Sequence, residues 1–279
     1  RVDRNSMSLV NSRYYRRGKF FWDERAATLE QQVLMPIENP IEMGHSLNDL
    51  VPQLSNDPIY KPLFESAFGD STINADRIAK ALAQFVRSIV SFNSRYDQGR
   101  DQAASVFEPF ANFSDQENAG KQLFFGEARC ATCHIDGGQS GDESDLFDLE
   151  FSLDRQTAFF YMKRPVVNGI DTEPYEASGT TIGVGSGRLV STPGIKFDAD
   201  TGVGLISGNQ EDVGRFKSPS LRCVDVTGPY MHDGRFRTIE AVVEHYNWSI
   251  RPHMNLDARL QKLDNSGIAL PQAEVDALV

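Results

Sequence analysis

The sequence predicts a mainly α-helical fold interrupted by a long glycine-rich region with a few short strands. Two observations carry that expectation. Apolar residues recur at helical spacing behind capping residues in several separate stretches. Between Gly137 and Gly214 the helical period disappears, and 13 of the chain's 22 glycines fall there among many Ser, Thr and Asp residues. With 279 residues the chain has the length of one large domain or two ordinary ones, and 40% hydrophobic residues suffice to bury a core.

Residues 22–36 place Ala26, Leu29 and Val33 on one helical stripe, with Pro36 expected to stop the helix and a loop expected from Ile37 to Gly44. Asn74 is expected to cap a longer helix carrying Ile78, Leu82, Phe85, Ile89 and Phe92 on one face. Ser114-Asp-Gln-Glu117 has the capping-box pattern and opens a third helix that runs through Leu123 and Phe124 to Gly126. A short strand is expected at Phe159–Met162. Helix returns at Thr238–Asn247, with Ile239, Val242, Val243 and Tyr246 on one face and His245 turned away from it. Pro271 suits the first turn of a final short helix with Val275 and Leu278 on one side. The chain begins with Arg1 and breaks off after this short helix, so it is expected to be clipped at both ends.

The net charge of −11 lacks the basic footprint of a nucleic-acid or anionic-membrane binder, and no apolar run is long enough to span a bilayer. Three cysteines, two of them in one motif, make no disulfide framework. That motif, Cys130-Ala-Thr-Cys133-His134, is the strongest chemical signal in the chain. Two thiols three positions apart can add to the two vinyl groups of one haem, and the adjacent imidazole then meets the iron from the same side. A zinc site would need about four ligands, and no second paired motif supplies them. A thioredoxin-like pair would need a βαβ setting. For the second axial ligand the sequence offers Met231, His232, His245, Tyr246, His253 and Met254. Cys223 is expected to be an unpaired, buried thiol.

Five blocks, in order, resemble the bacterial di-haem cytochrome c peroxidases, a family that includes MauG-type enzymes. They are Trp22-Asp-Glu-Arg25-Ala26 through Gln31, Asn39-Pro40-Ile-Glu42-Met43-Gly44, the cysteine motif, Gly214-Arg-Phe-Lys217-Ser-Pro219-Ser-Leu221-Arg222, and Gly228-Pro-Tyr-Met-His232-Asp-Gly234. The resemblance implies two c-type cytochrome-like domains. Residues 1–110 would be the remainder of an N-terminal, peroxidatic domain, and 111–252 a C-terminal cytochrome domain holding Cys130, Cys133 and His134. Residues 253–279 would pack back toward the first. One haem c would be attached here and a second upstream; the alternative is a natural single-haem relative.

The resemblance also implies residue roles. Trp22 would relay electrons between haems, although a Trp is commonly just a core residue. Glu42 would be the acid/base of peroxide cleavage, although alone it reads as a solvated loop residue. Asn5, Thr227 and Pro229 would hold calcium through oxygen atoms. Tyr246, fourteen residues after His232, stands where Pseudomonas-type peroxidases have a methionine ligand and MauG-type enzymes a tyrosine. A phenolate ligand favours oxidised iron and a low potential. Ala128, two residues before Cys130, departs from the tryptophan that MauG-type quinone maturation uses. The implied function is periplasmic reduction of hydrogen peroxide with electrons from a small donor of the cytochrome c or cupredoxin type, with a homodimer among the assemblies to test. Alternatives are MauG-like oxidation of a protein or organic substrate through high-valent haem, and a non-catalytic electron-transfer cytochrome.

Overall fold

The computed structural model describes residues 4–15, 17–134, 165–171, 200–261 and 267–279. Over these the chain is mainly helical. In order the helices are α1 (Leu29–Glu38), α2 (Leu47–Asn56), α3 (Tyr60–Phe68), α4 (Ala75–Ser88), α5 (Arg95–Gln102), α6 (Asp115–Phe125), α7 (Val203–Ser207), α8 (Ile239–Trp248), α9 (Ala258–Gln261) and α10 (Gln272–Leu278). Among the described residues β structure is limited to isolated bridges, such as Phe20 with Ala26 and Val166 with Phe216. The expected strand at 159–162, and most of the glycine-rich region, lie outside the described residues. No described helix is long and apolar enough to cross a membrane.

The N-terminal helices pack around α1 and α4. Residues 22–27 do not join α1, contrary to the expected helix over 22–36. Glu24 sits at φ 58° in a tight turn, and Phe20 pairs with Ala26, so the helix starts only after the Thr28 cap. Pro36 does not stop it either. It lies in the last turn, two residues before the end at Glu38, where little helix remains for a missing N–H to disrupt. The apolar stripe nonetheless does its work, because Ala26, Leu29, Ala83 and Val86 form one buried cluster with Val33 against it.

Helix α4 is capped by the Asn74 side chain as expected, but it is rotated and shorter than expected, ending at Ser88. Ile78, Ala79, Ala83 and Val86 are buried, whereas Phe85 is 66% exposed and Leu82 38%. Small residues at 79 and 83 let α1 approach closely, and that contact displaces the bulkier stripe toward the outside. Helices α2, α3 and α5 have no counterpart in the sequence reading.

The second half is organised around α6, α8 and α10. The Ser114 capping box is complete: Glu117 N–H donates to Ser114 Oγ at 3.2 Å and Ser114 N–H to Glu117 Oε2 at 2.7 Å. Helix α8 lies within a residue of the expected 238–247, and the Thr238 side chain caps it. Helix α10 packs on both α6 and α8, with Val275 2% exposed beside Ala128 and Leu270. The contact with α6 passes over Gly120. A Cβ there would lie 1.8 Å from the carbonyl oxygen of Ala277, a clash of backbone with Cβ that no rotamer relieves. Gly120→Ala is expected to cost roughly 1–3 kcal/mol, the range for overpacked cores, in a urea denaturation series. Unchanged stability would mean that α10 does not dock as described.

Candidate functional site

The cysteine motif forms a single 3-10 turn, Cys130–Thr132, immediately after α6. His134 N–H donates to Cys130 O at 3.0 Å, so the turn closes on itself. Ala131, completely buried, anchors it in a cluster with Val106, Phe110 and Phe125. With its middle residue pinned inward, the turn presents Cys130, Cys133 and His134 together to one cavity of about 420 Å³, a size in the range of cofactor sites. His134 Nδ1 lies 3.2 Å from Pro219 O. A carbonyl only accepts, so Nδ1 carries the proton and Nε2 keeps the lone pair that a metal needs.

Two observations test whether a c-type haem suits this cavity. Sulfur contacts in the turn are long, 3.6 Å from Cys130 to Ala128 O and 3.9 Å from Thr132 Oγ1 to Cys133. Burial pushes the Cys130 thiol up to about 12 and the Cys133 thiol upward too. Such thiols are poor thiolate ligands but are suited to becoming neutral thioethers. The walls are apolar, including Phe124, Leu221, Val242, Val243 and Ile268, and the lining also carries Arg129 and Arg259, whose positive charge suits a group with carboxylate substituents. The residues fit the group.

Of the six sequence-level axial candidates, Met231, His232 and Tyr246 line this cavity and His245, His253 and Met254 do not. His245, expected to be turned away, is buried at 4%, with Nε2 3.1 Å from Asn168 O. His232 stacks on Phe216 with ring centroids 3.8 Å apart and has Asp171 at 3.7 Å, which commits its ring to the wall. Tyr246 accepts a hydrogen bond from Asn168 Nδ2 at 3.3 Å. Burial holds its phenol well above the usual tyrosine range, so a bound ferric ion would have to supply the charge that favours phenolate.

Trp22 also lines the cavity. Its indole N–H donates to Asn5 O at 2.9 Å, and its own carbonyl accepts from Lys217 N–H at 2.8 Å. Asn5, Thr227 and Pro229 come together at one edge of the same cavity. The Asn5 side-chain amide lies 2.5 Å from Pro229 O. Glu42 is not part of this site. It lies exposed in the turn after α1, between Ile41 and Met43. Cys223 is unpaired, as expected, but only partly buried. It sits at φ 58° on a loop, with Ser91 Oγ 3.7 Å away, and the left-handed backbone holds it short of the core.

Sequence reasoning missed Asn168, Lys217 and Arg259. Arg259 pairs with Asp257 and donates to Thr132 O inside the cysteine turn. Lys217 is 3% exposed, with Nζ 3.8 Å from the centroid of the Tyr15 ring. A lysine inside a quoted motif was a usable signal. An Asn in a glycine-rich stretch, or an Arg after an Asp, offered none.

The family profile for di-haem cytochrome c peroxidases matches residues 1–104. The methylamine utilization protein MauG of Paracoccus denitrificans is 31% identical over 294 residues, covering 97% of this chain and 67% of its own length. MauG of Methylophilus methylotrophus is 29% identical over 270 residues, covering 95% and 64%. A solved MauG-like protein associated with microbial copper homeostasis superposes with TM-score 0.66 at 25% identity, covering 99% of this chain and 73% of that one. This chain thus spans about half to two thirds of the length of the curated relatives it matches. Fold and comparisons define the class, a mainly helical oxidoreductase scaffold of the di-haem peroxidase type. The chain belongs to the di-haem cytochrome c peroxidase family, MauG-type members included, and haem c is that family's cofactor.

Burial lowers the Lys217 pKa to about 7, against about 10.4 for a lysine in an unfolded chain. Between those values the unfolded state binds more protons, so this group's contribution to stability rises with pH. The stability of the native protein minus that of Lys217→Met, from urea titrations, is expected to climb between about pH 7 and 10. A flat difference would show that Lys217 titrates as it does in water.

Proposed function

We propose that this chain is the electron-receiving part of a periplasmic peroxide-reducing enzyme. Cys130 and Cys133 would attach its haem c, and His134 and Tyr246 would ligate the iron. The observation that carries the reading is the convergence of both thiols, a tautomer-fixed imidazole and a buried phenol on one apolar cavity. Haem supplies reversible one-electron storage there and peroxide cleavage at a second, peroxidatic site.

The chain's own groups do the rest. Pro219 O holds His134 in its ligating tautomer. The apolar walls exclude water, and the nearby cations offset carboxylate charge. Trp22, clamped at its indole N–H and its carbonyl, offers a rigid aromatic stepping stone out of the cavity. Asn5, Thr227 and Pro229 would hold calcium, tying the N-terminal segment to the loop before α8. Glu42 lies apart from Tyr246, so peroxide and stored electron occupy separate places. Its neighbours Ile41 and Met43 are 62% and 65% exposed. That pattern suits a carboxylate covered by another apolar body, where it would move a proton between the two peroxide oxygens. Only one Cys-x-x-Cys-His occurs in these 279 residues, so the reading requires a second haem-bearing segment joined to residues 1–110. A small cytochrome or cupredoxin would be the electron donor.

Tyr246 favours a second reading, oxidation of a protein or organic substrate, because an anionic oxygen ligand stabilises oxidised iron.

Acidic acetone is expected to leave the colour on the protein, since thioether bonds resist extraction; haem in the organic layer would end the attachment reading. Tyr246→Phe should change the ferric absorption spectrum while costing about 1 kcal/mol of stability, one hydrogen bond's worth. Met231→Ala should leave that spectrum in place, and the reverse pattern would assign the ligand to Met231. Haem counting on protein from the intact gene should give two per polypeptide. A single haem would favour the electron-transfer cytochrome.

A further inference from the structure

Asn168 faces both of the plausible axial ligands at once. Its side-chain nitrogen is 3.3 Å from Tyr246 Oη and 3.5 Å from Met231 Sδ, so its two N–H groups are shared between a phenol and a thioether. The amide cannot simply be turned over, because its oxygen accepts from Ile170 N–H at 3.4 Å. That bond identifies which end of the carboxamide faces the cavity.

The residue is also unusually well fixed for one in a glycine-rich stretch. Val166 exchanges two backbone hydrogen bonds with Phe216, both 2.9 Å. Val167 O accepts from Asp257 N–H at 3.1 Å and Gly169 O from Arg251 N–H at 2.7 Å. Asn168 O lies 3.1 Å from His245 Nε2, and Ile170 O accepts from Arg235 at 2.9 Å. The chain then turns at Gly169, φ +69°, where a Cβ would meet Ile250 Cγ2 at 2.5 Å. Five consecutive residues are therefore tied to four different segments, and the Asn168 side chain is aimed by all of them.

We propose that Asn168 is a positioning residue that selects Tyr246 over Met231 as the axial ligand. The inference rests on the reading of this cavity as the haem site. A thioether stays neutral when it ligates a metal, whereas a phenol gives up its proton. An N–H donated to the phenol oxygen stabilises that anion, and an N–H donated to neutral sulfur has no such charge to stabilise. Hydrogen bonds to charged groups are the stronger kind, so the same amide favours the phenolate over the thioether.

The test uses the haem-loaded full chain. Asn168→Leu keeps the shape and removes both donors, and the backbone carbonyl held by His245 remains. Asn168→Ala is the second variant should Leu fail to fold. Loss of a hydrogen bond to a charged group, about 1.5–3 kcal/mol, corresponds to a roughly tenfold or greater fall in the ratio of Tyr-ligated to Met-ligated protein. The ferric spectrum is expected to gain the charge-transfer band of a thioether-ligated haem, with an upward shift in reduction potential. Both changes should vanish in Asn168→Leu/Met231→Ala. If Tyr246→Phe alters the spectrum of otherwise native protein but neither Asn168 variant does, Asn168 does not select the ligand. If Tyr246→Phe itself alters nothing, the ligand reading has failed and this inference goes with it.

Discussion

An extended strap, residues 215–220, holds the cavity together, and it does so through its backbone. Phe216 exchanges two hydrogen bonds with Val166, Lys217 N–H donates to Trp22 O, and Pro219 O meets His134 Nδ1. Consecutive parts of one short segment thus fix the Asn168 loop, the tryptophan wall and the histidine tautomer. Backbone groups are obligatory donors and acceptors, so a strap paired only through isolated bridges must find its remaining bonds elsewhere. Here they are found in the three elements that shape the site. The side chains complete the wall: Phe216 carries the His232 ring, and Lys217 lies over Tyr15.

Charge is used the same way, to tie the N-terminal part to the rest. Arg4 bridges Asp23 and Asp200; burial alone would raise the Asp200 pKa, but the hydrogen bond from the Arg4 guanidinium holds it below the usual carboxylate range. Arg222, next to Cys223, pairs with Asp97 at 2.5 Å with side chains 5% and 16% exposed. Removing either partner of such a pair strands a buried charge. These pairs therefore act as registration devices for the segments they join. Tyr15 and Arg17 on Glu24 complete the pattern around the tight turn that contains Trp22.

What was legible in the sequence follows from which interactions are local. The Ser114 box, the Asn74 cap and the cysteine turn depend on residues three or four apart, and all of them appear where the sequence placed them. The α4 face was misjudged because periodicity ranks residues by size and apolarity, whereas close approach to α1 selected Ala79 and Ala83. Helices α2 and α3 carry Pro52 and Pro62, which masked them as loops. His245 and Asn168 escaped for a different reason. Their hydrogen bond spans 77 positions, and no local pattern encodes it.

The same distinction bears on how the site divides its labour. Of the groups gathered in the apolar cavity, His134, Tyr246 and Trp22 are oriented by bonds from distant segments, while the cysteine turn beside them closes on its own local bonds. The proposed proton carrier, Glu42, stands on a turn made of local bonds, with Glu42 N–H to Asn39 O at 3.0 Å and Gly44 N–H to Asn39 O at 2.8 Å. An electron site works best when its dielectric surroundings do not reorganise, which rigid long-range clasps provide. A proton carrier must exchange with solvent and change its contacts, which a surface turn permits. The proposed separation of Tyr246 from Glu42 thus matches two opposed physical demands that one pocket would satisfy poorly.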